Sequence, residues 1–84
     1  MRLHLKFFAA YRERLGCAEE TLDWSGDRRT LGELVDYLRQ RGGVWQEVLS
    51  DPRCLMAINE NMARSSEYMH DQDEVAFFPP VTGG

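Results

Sequence analysis

With 84 residues, 43% of them hydrophobic and 29% charged, the chain is sized and composed for one soluble globular domain. A domain this small buries only about 60–65% of the surface its unfolded chain exposes, so an internal catalytic cavity has little room and function is expected at a surface or an end. A net charge of −4 and a pI near 5.0 weigh against nucleic acid, whose phosphates call for a basic patch, and towards partners with a basic docking surface.

Arg2 to Phe8 alternates, with Leu3, Leu5 and Phe7 on one face and Arg2, His4, Lys6 and Phe8 on the other; period two predicts a strand. Ala9 to Leu15 predicts a helical turn inside a long connection, ended by Gly16. Glu19 to Trp24 alternates again, Glu20, Leu22 and Trp24 against Thr21 and Asp23, which predicts a second strand antiparallel to the first, closed by a Ser25-Gly26-Asp27 turn. Thr30-Leu31-Gly32-Glu33 has the form of a capping box. Leu31, Leu34, Val35 and Leu38 then recur at helical spacing, with Arg39 and Arg41 placed to suit the helix dipole and Gly42-Gly43 as a left-handed C-cap.

Val44 to Leu49 predicts one further short helical turn, ended by Asp51-Pro52. Leu55 to Asn59 is an apolar strand, Asn59-Glu60-Asn61 a turn, and Met62-Ala63 a short return. Arg64 to Asp73 reads as polar loop, and Glu74 to Phe78 as the last strand, which Pro79-Pro80 ends because proline cannot donate to a ladder. The order of two strands, a helix and further strands predicts an α+β fold of the β-grasp kind: a mixed sheet over one main helix, with the first and last strands parallel at the centre. A ferredoxin-like arrangement would want a second full helix, for which 64–73 is a poor candidate. Residues 1–78 read as the β-grasp domain and 79–84 as a flexible C-terminal tail.

The basic side is lopsided, since Lys6 is the only lysine and the rest is arginine. Cys17 and Cys54 form no CxxC and read as free structural thiols of a reducing compartment, with no base placed beside them. The opening residues lack the apolar core of a secretory signal, and no apolar run approaches a membrane span, so cytoplasm is the expected location and no membrane partner is expected. His4, His70 and the cysteines lack zinc spacing, and Asp71, Asp73 and Glu74 read as solvated turn charges.

Two features carry function. The tail Pro79-Pro80-Val81-Thr82-Gly83-Gly84 is held extended by its prolines and made slim by its glycines, and it can reach roughly 20 Å beyond the sheet. Such an end suits chemistry on its own carboxylate inside another protein's active site. That carboxylate, with a reference pKa of roughly 3.5, is ionised and a poor electrophile. Adenylation by ATP is the obvious activation, and the chain has no phosphate-binding loop, so the adenylating machinery is expected on another protein. The residues alone leave open both a frayed terminus and an activated tail. The second feature is a patch: Phe8 falls on the polar face of the first strand, and Ala76 and Phe78 face away from the helix on the last. Two phenylalanines there, with Met62 able to join them, mark a docking site at the root of the tail.

The ending from Asp73 to Gly84, the Phe7-Phe8-Ala9 strand end, the Arg12-Glu13 turn and Ala57-Ile58-Asn59 resemble the molybdopterin-synthase small subunits of the MoaD/ThiS family of ubiquitin-like sulfur carriers. The likeness runs over the whole chain, and its specific part is Phe-Phe-Pro-Pro-Val-Thr-Gly-Gly. The resemblance implies that a ubiquitin-activating-like adenylyltransferase adenylates Gly84, and that a sulfurtransferase's sulfur makes it a thiocarboxylate. It implies that the tail, Pro79 to Gly84, enters the active site of the large synthase subunit and passes sulfur to the cyclic pyranopterin precursor. It also implies an assembly of two small and two large subunits, with Phe8, Met62 and Phe78 against the large subunit. The chain itself would bind no cofactor and act as a substrate-like subunit rather than a catalyst. One departure is Asp71-Gln72-Asp73 where the family often has Asp-Gly-Asp, so a local difference in that turn is expected. Carriers for thiazole or tRNA sulfur, a modifier joined to lysines, and a plain interaction module are the alternatives; removing Gly84 would leave only the last of these working.

Overall fold

The protein is described by a computed structural model over residues 1–26 and 28–80. In chain order the elements are β1 (Arg2–Phe7), α1 (Ala9–Leu15), β2 (Glu19–Asp23), β3 (Arg29–Thr30), α2 (Leu31–Arg39), α3 (Gly43–Leu49), β4 (Leu55–Ile58), β5 (Asn61–Met62), β6 (Tyr68–Met69) and β7 (Glu74–Phe78). The main sheet has the order β2-β1-β7-β4-β5. As the order of elements predicts, β1 and β7 run parallel at the centre, Leu5 beside Val75 and Phe7 beside Phe77, while the other neighbours are antiparallel. The architecture is the predicted α+β β-grasp.

The inner face of the sheet carries Leu3, Leu5, Phe7, Val75 and Phe77, each at most 1% exposed. They share one core with Leu31, Leu34 and Leu38 of α2, Tyr11 of α1, and Val48 and Leu49 of α3. Each such side chain contributes about 1.5–3 kcal/mol by leaving water, so this layer holds the sheet in shape. Phe7 stacks on Phe77 with centroids 5.4 Å apart and meets the edge of Trp45 at the same distance. Trp24 stacks on Tyr37 at 5.3 Å.

The capping box forms as expected: the Glu33 amide donates to Thr30 Oγ1 at 3.2 Å and the Thr30 amide donates to Glu33 Oε1 at 3.3 Å. Gly16 closes α1 in the left-handed region, φ 65°, where a side chain would be strained.

Three expectations are corrected. Gly42-Gly43 does not cap α2, which closes at Gln40 in right-handed geometry. Its last carbonyls are met by tighter bonds, Arg41 N to Leu38 O and Gly42 N to Arg39 O, and the positive φ of both glycines instead turns the chain into α3, for which Gly42 is the N-cap. Arg41 thus lies past the helix, where it grips the Glu20 carboxylate (Nη1 to Oε1 2.8 Å) and covers the Trp45 ring. The stretch 64–73 is not all loop: β6 pairs antiparallel with β3 and buries Met69 completely. A two-residue strand has too few positions for period two to show, and its partner lies far away in sequence. The turn before β7 takes the shape glycine would take, with Gln72 itself at φ 71°.

Candidate functional site

The outer face of the same sheet is built from the residues that alternate with the core. One row across it, set by register, is Met62, Ala57, Ala76, Lys6 and Glu19. Ala57 and Ala76 are 4% and 8% exposed, so the middle of this face is a shallow trough with a small-residue floor rather than a solvated surface. The next row places Leu55 opposite Phe78. Phe8, just past β1, donates its amide to Phe77 O at 3.1 Å and lays its ring 5.8 Å from that of Phe78. The structure therefore brings Phe8 and Phe78 into contact. Met62 shares the face but sits on the edge strand β5, separated from β7 by β4. Phe8 at 42% and Met62 at 60% exposure are among the large apolar side chains left in water, the condition of a docking surface.

Pro79 and Pro80 leave β7 half-buried, beside an open cavity of about 690 Å³ at the root of the tail. Ala9, Ala10 and Phe78 form its apolar wall, and Asp51 and Arg53 its polar rim. The remaining sequence-predicted site residues, Val81, Thr82, Gly83 and Gly84, lie outside the described residues.

Local geometry explains how this root is made. Ala9 sits at φ 53°, a left-handed conformation costly for a residue with a Cβ. It turns the chain from β1 into α1 directly after Phe8, which leaves Phe8 on the outer face. Asp51 receives the Arg53 amide at 3.0 Å and the Tyr11 hydroxyl at 3.3 Å. The Arg53 amide bond, followed by the Arg53 side chain, holds the Asp51 carboxyl below its ordinary value. Burial pushes the Tyr11 hydroxyl and the Cys54 thiol up, so Cys54 is kept as thiol rather than nucleophilic thiolate.

At the far end of β7, Asn59 takes the Glu74 amide at 2.9 Å and donates to Asp73 Oδ1 at 2.9 Å, which fixes where the last strand starts. On the outer face Lys6 Nζ lies 2.8 Å from Glu74 Oε1. Ala9, Ala10, Asp51, Arg53, Leu55, Lys6 and Glu74 are the site residues that sequence reasoning missed. The only local signal was Ala9-Ala10, a pair of small side chains where the alternation breaks; the others reach the site through pairing with distant residues. Among the described residues no three His, Cys, Asp or Glu side chains gather as a metal-ligand set, and no helix is long and apolar enough to cross a membrane.

The fold and the tail root together define a ubiquitin-like β-grasp protein with an apolar outer face at the foot of its C-terminus. Residues 5–84 match the ThiS family. The chain is 35% identical over 82 residues to the molybdopterin synthase sulfur carrier subunit of Haemophilus influenzae, covering 98% of this chain and 99% of that one. It is 36% identical over 78 residues to the protein of the same name from Escherichia coli, covering 93% and 94%. In three dimensions it is similar to SAMP1, small archaeal modifier protein 1, from Haloferax volcanii, with TM-score 0.82, 29% identity and full coverage of both chains. The chain belongs to the ThiS family.

Proposed function

We propose that this chain is the sulfur carrier subunit of a molybdopterin synthase. The observation that carries the reading is the exposed Phe8 packed against half-buried Phe78 at the foot of a Pro-Pro-Val-Thr-Gly-Gly end, in a chain matched over nearly its whole length by relatives of that name. A carboxylate oxygen of Gly84 attacks the α-phosphorus of ATP on an activating adenylyltransferase, and pyrophosphate leaves. Hydrosulfide, released from a sulfurtransferase's persulfide by a reducing thiol, then attacks the acyl carbon, the bond to the AMP oxygen breaks, AMP leaves, and a thiocarboxylate remains. The outer face docks on the large synthase subunit, and the tail delivers sulfur to the cyclic pyranopterin precursor there. Two such deliveries complete the dithiolene, in a cytoplasmic assembly of two small and two large subunits.

The body of the domain contributes no acid or base to this chemistry. It offers a rigid sheet, an apolar face to align the tail, and prolines that limit the tail's conformational freedom before it enters a partner. The likeness to SAMP1 favours a second reading, a modifier whose activated end is joined to lysine amines.

One experiment separates them. The chain is incubated with ATP, its activating enzyme and a sulfide source, and its intact mass is measured. Replacement of one oxygen by sulfur, mapped to Gly84, is the expected result. Conjugates to lysine without a sulfur-bearing form would overturn the carrier reading in favour of the modifier. No change, with the activating enzyme competent on another carrier, would leave the chain as an interaction module.

A further inference from the structure

An activated acyl end is a hazard to the protein that carries it, because any amine within reach can capture it. This chain has one lysine among its ten basic residues, the guanidinium of the other nine stays protonated and is no acyl acceptor, and the Met1 amine is part-buried and donates to Trp24 O at 3.0 Å. The single lysine is also surrounded by carboxylates. Lys6 Nζ lies 2.8 Å from Glu74 Oε1 on the neighbouring parallel strand. Its register partner on the other side, in β2, is Glu19. Glu60, at the β4–β5 turn, adds a weaker attraction. Lys6 remains reachable, since its side chain is 37% exposed on the outer face. It is thus an accessible amine held in its unreactive ammonium form.

We propose that Lys6 is the one side chain at which the activated end of a second copy forms a permanent bond to this protein, and that Glu74 is the group that suppresses that reaction. The proposal rests on the activated-tail reading above. In the reaction the deprotonated Lys6 nitrogen attacks the Gly84 carbonyl carbon of an acyl-adenylate. The C–N amide bond forms, the bond from carbon to the AMP oxygen breaks, AMP leaves with that oxygen, and the ammonium proton goes to solvent. The thiols cannot substitute for Lys6 as a permanent acceptor, because a thioester at Cys17 or Cys54 is returned by the next thiol or sulfide it meets. Glu74 attracts the proton that must leave before attack, first through its hydrogen bond and then through its charge. Docking that covers the outer face would add physical shielding to this chemical one.

The test begins without any enzyme. The whole chain, its Glu74→Gln variant and its Lys6→Arg variant are treated at neutral pH with the N-hydroxysuccinimide ester of acetyl-glycyl-glycine, which stands in for an activated Gly-Gly end. Peptide mass mapping follows acylation of Lys6. We expect Lys6 in Glu74→Gln to react about threefold faster than in the unmodified chain, the size an exposed ion pair supports. The ratio should shrink towards one only as pH rises beyond about 10.4, the ordinary lysine value, because the amine has then lost its proton in both proteins. Equal rates at neutral pH would overturn the role of Glu74.

The second arm uses ATP and the activating enzyme with no sulfur source. Covalent dimers joined from Gly84 to Lys6 are expected to accumulate faster in Glu74→Gln and to be absent in Lys6→Arg. Dimers joined permanently elsewhere, or equal yields in the first two proteins, would overturn the proposal. Pyrophosphate release reports adenylation separately, so its absence would count against the activated-tail reading while the ester reaction still decides the role of Glu74.

Discussion

Two pairs of phenylalanines, one residue apart at the ends of β1 and β7, end in opposite surroundings. Phe7 and Phe77 stack nearly parallel at 5.4 Å and are at most 1% exposed. Phe8 and Phe78 sit at 5.8 Å with their rings tilted by 54°, and Phe8 is 42% exposed. The side-chain chemistry is the same; only the side of the pleat differs, and among the described residues three helices cover one side while none covers the other. Inner-face residues stabilise this fold, and outer-face residues are available for a partner. In a domain with one small core, that separation lets a docking surface be strongly apolar without competing with the core for its contents.

The comparison can be broken by substituting its members. Phe77→Ala should cost about 3–5 kcal/mol, because it leaves a cavity that the stacked Phe7 cannot fill. Since a domain of this kind is stable by about 5–15 kcal/mol, much of its margin should vanish, and urea unfolding would show it. Phe78→Asp should move the urea midpoint little. It should weaken binding to the large subunit proposed as its partner about thirtyfold or more, as expected when a charge must be desolvated at a hot spot; titration calorimetry checks this. If Phe78→Asp unfolds the protein as Phe77→Ala does, or leaves binding unchanged, the two faces do not divide stability from docking in this way.

Smaller effects sharpen the picture at the rims. Gln72 holds φ 71° before β7. A left-handed residue with a Cβ costs about 1–2 kcal/mol, part of which glycine returns as backbone entropy. Gln72→Gly should therefore raise stability by about 0.5–1 kcal/mol, read as a higher urea midpoint with docking unaltered. At the inner rim, the hydrogen bond from Arg41 is the main cause that holds the Glu20 carboxyl below its ordinary value of 4.5. A depressed carboxyl contributes stability above its unfolded value and loses it as pH falls through the folded one. Stability should thus decline as pH drops below about 4.5, and Glu20→Gln should flatten that decline slightly when thermal unfolding is followed against pH.

Much of this molecule was legible from its residues in order. Period two in 2–8, 19–24 and 74–78, and the capping box at Thr30, report interactions between neighbours in sequence, and local geometry is enough to read them. The same parity placed Phe8 and Phe78 on the outer face, and the composition of the end pointed to its carboxylate. Met69 was not legible, because its burial depends on a two-residue strand meeting Arg29 and Thr30 some forty positions earlier.

The sequence by itself determined the strands of the main sheet, the main helix and which side of that sheet its residues face. Only the tertiary structure decided the β3–β6 pairing, the use of Gly42-Gly43 to start α3, the cavity where Asp51 and Arg53 meet Pro79 and Pro80, and the carboxylates around Lys6. The division has a physical cause. A periodic pattern records which face a residue shows, whereas an ion pair or a cavity wall is made by residues from distant segments that meet only when the sheet has closed.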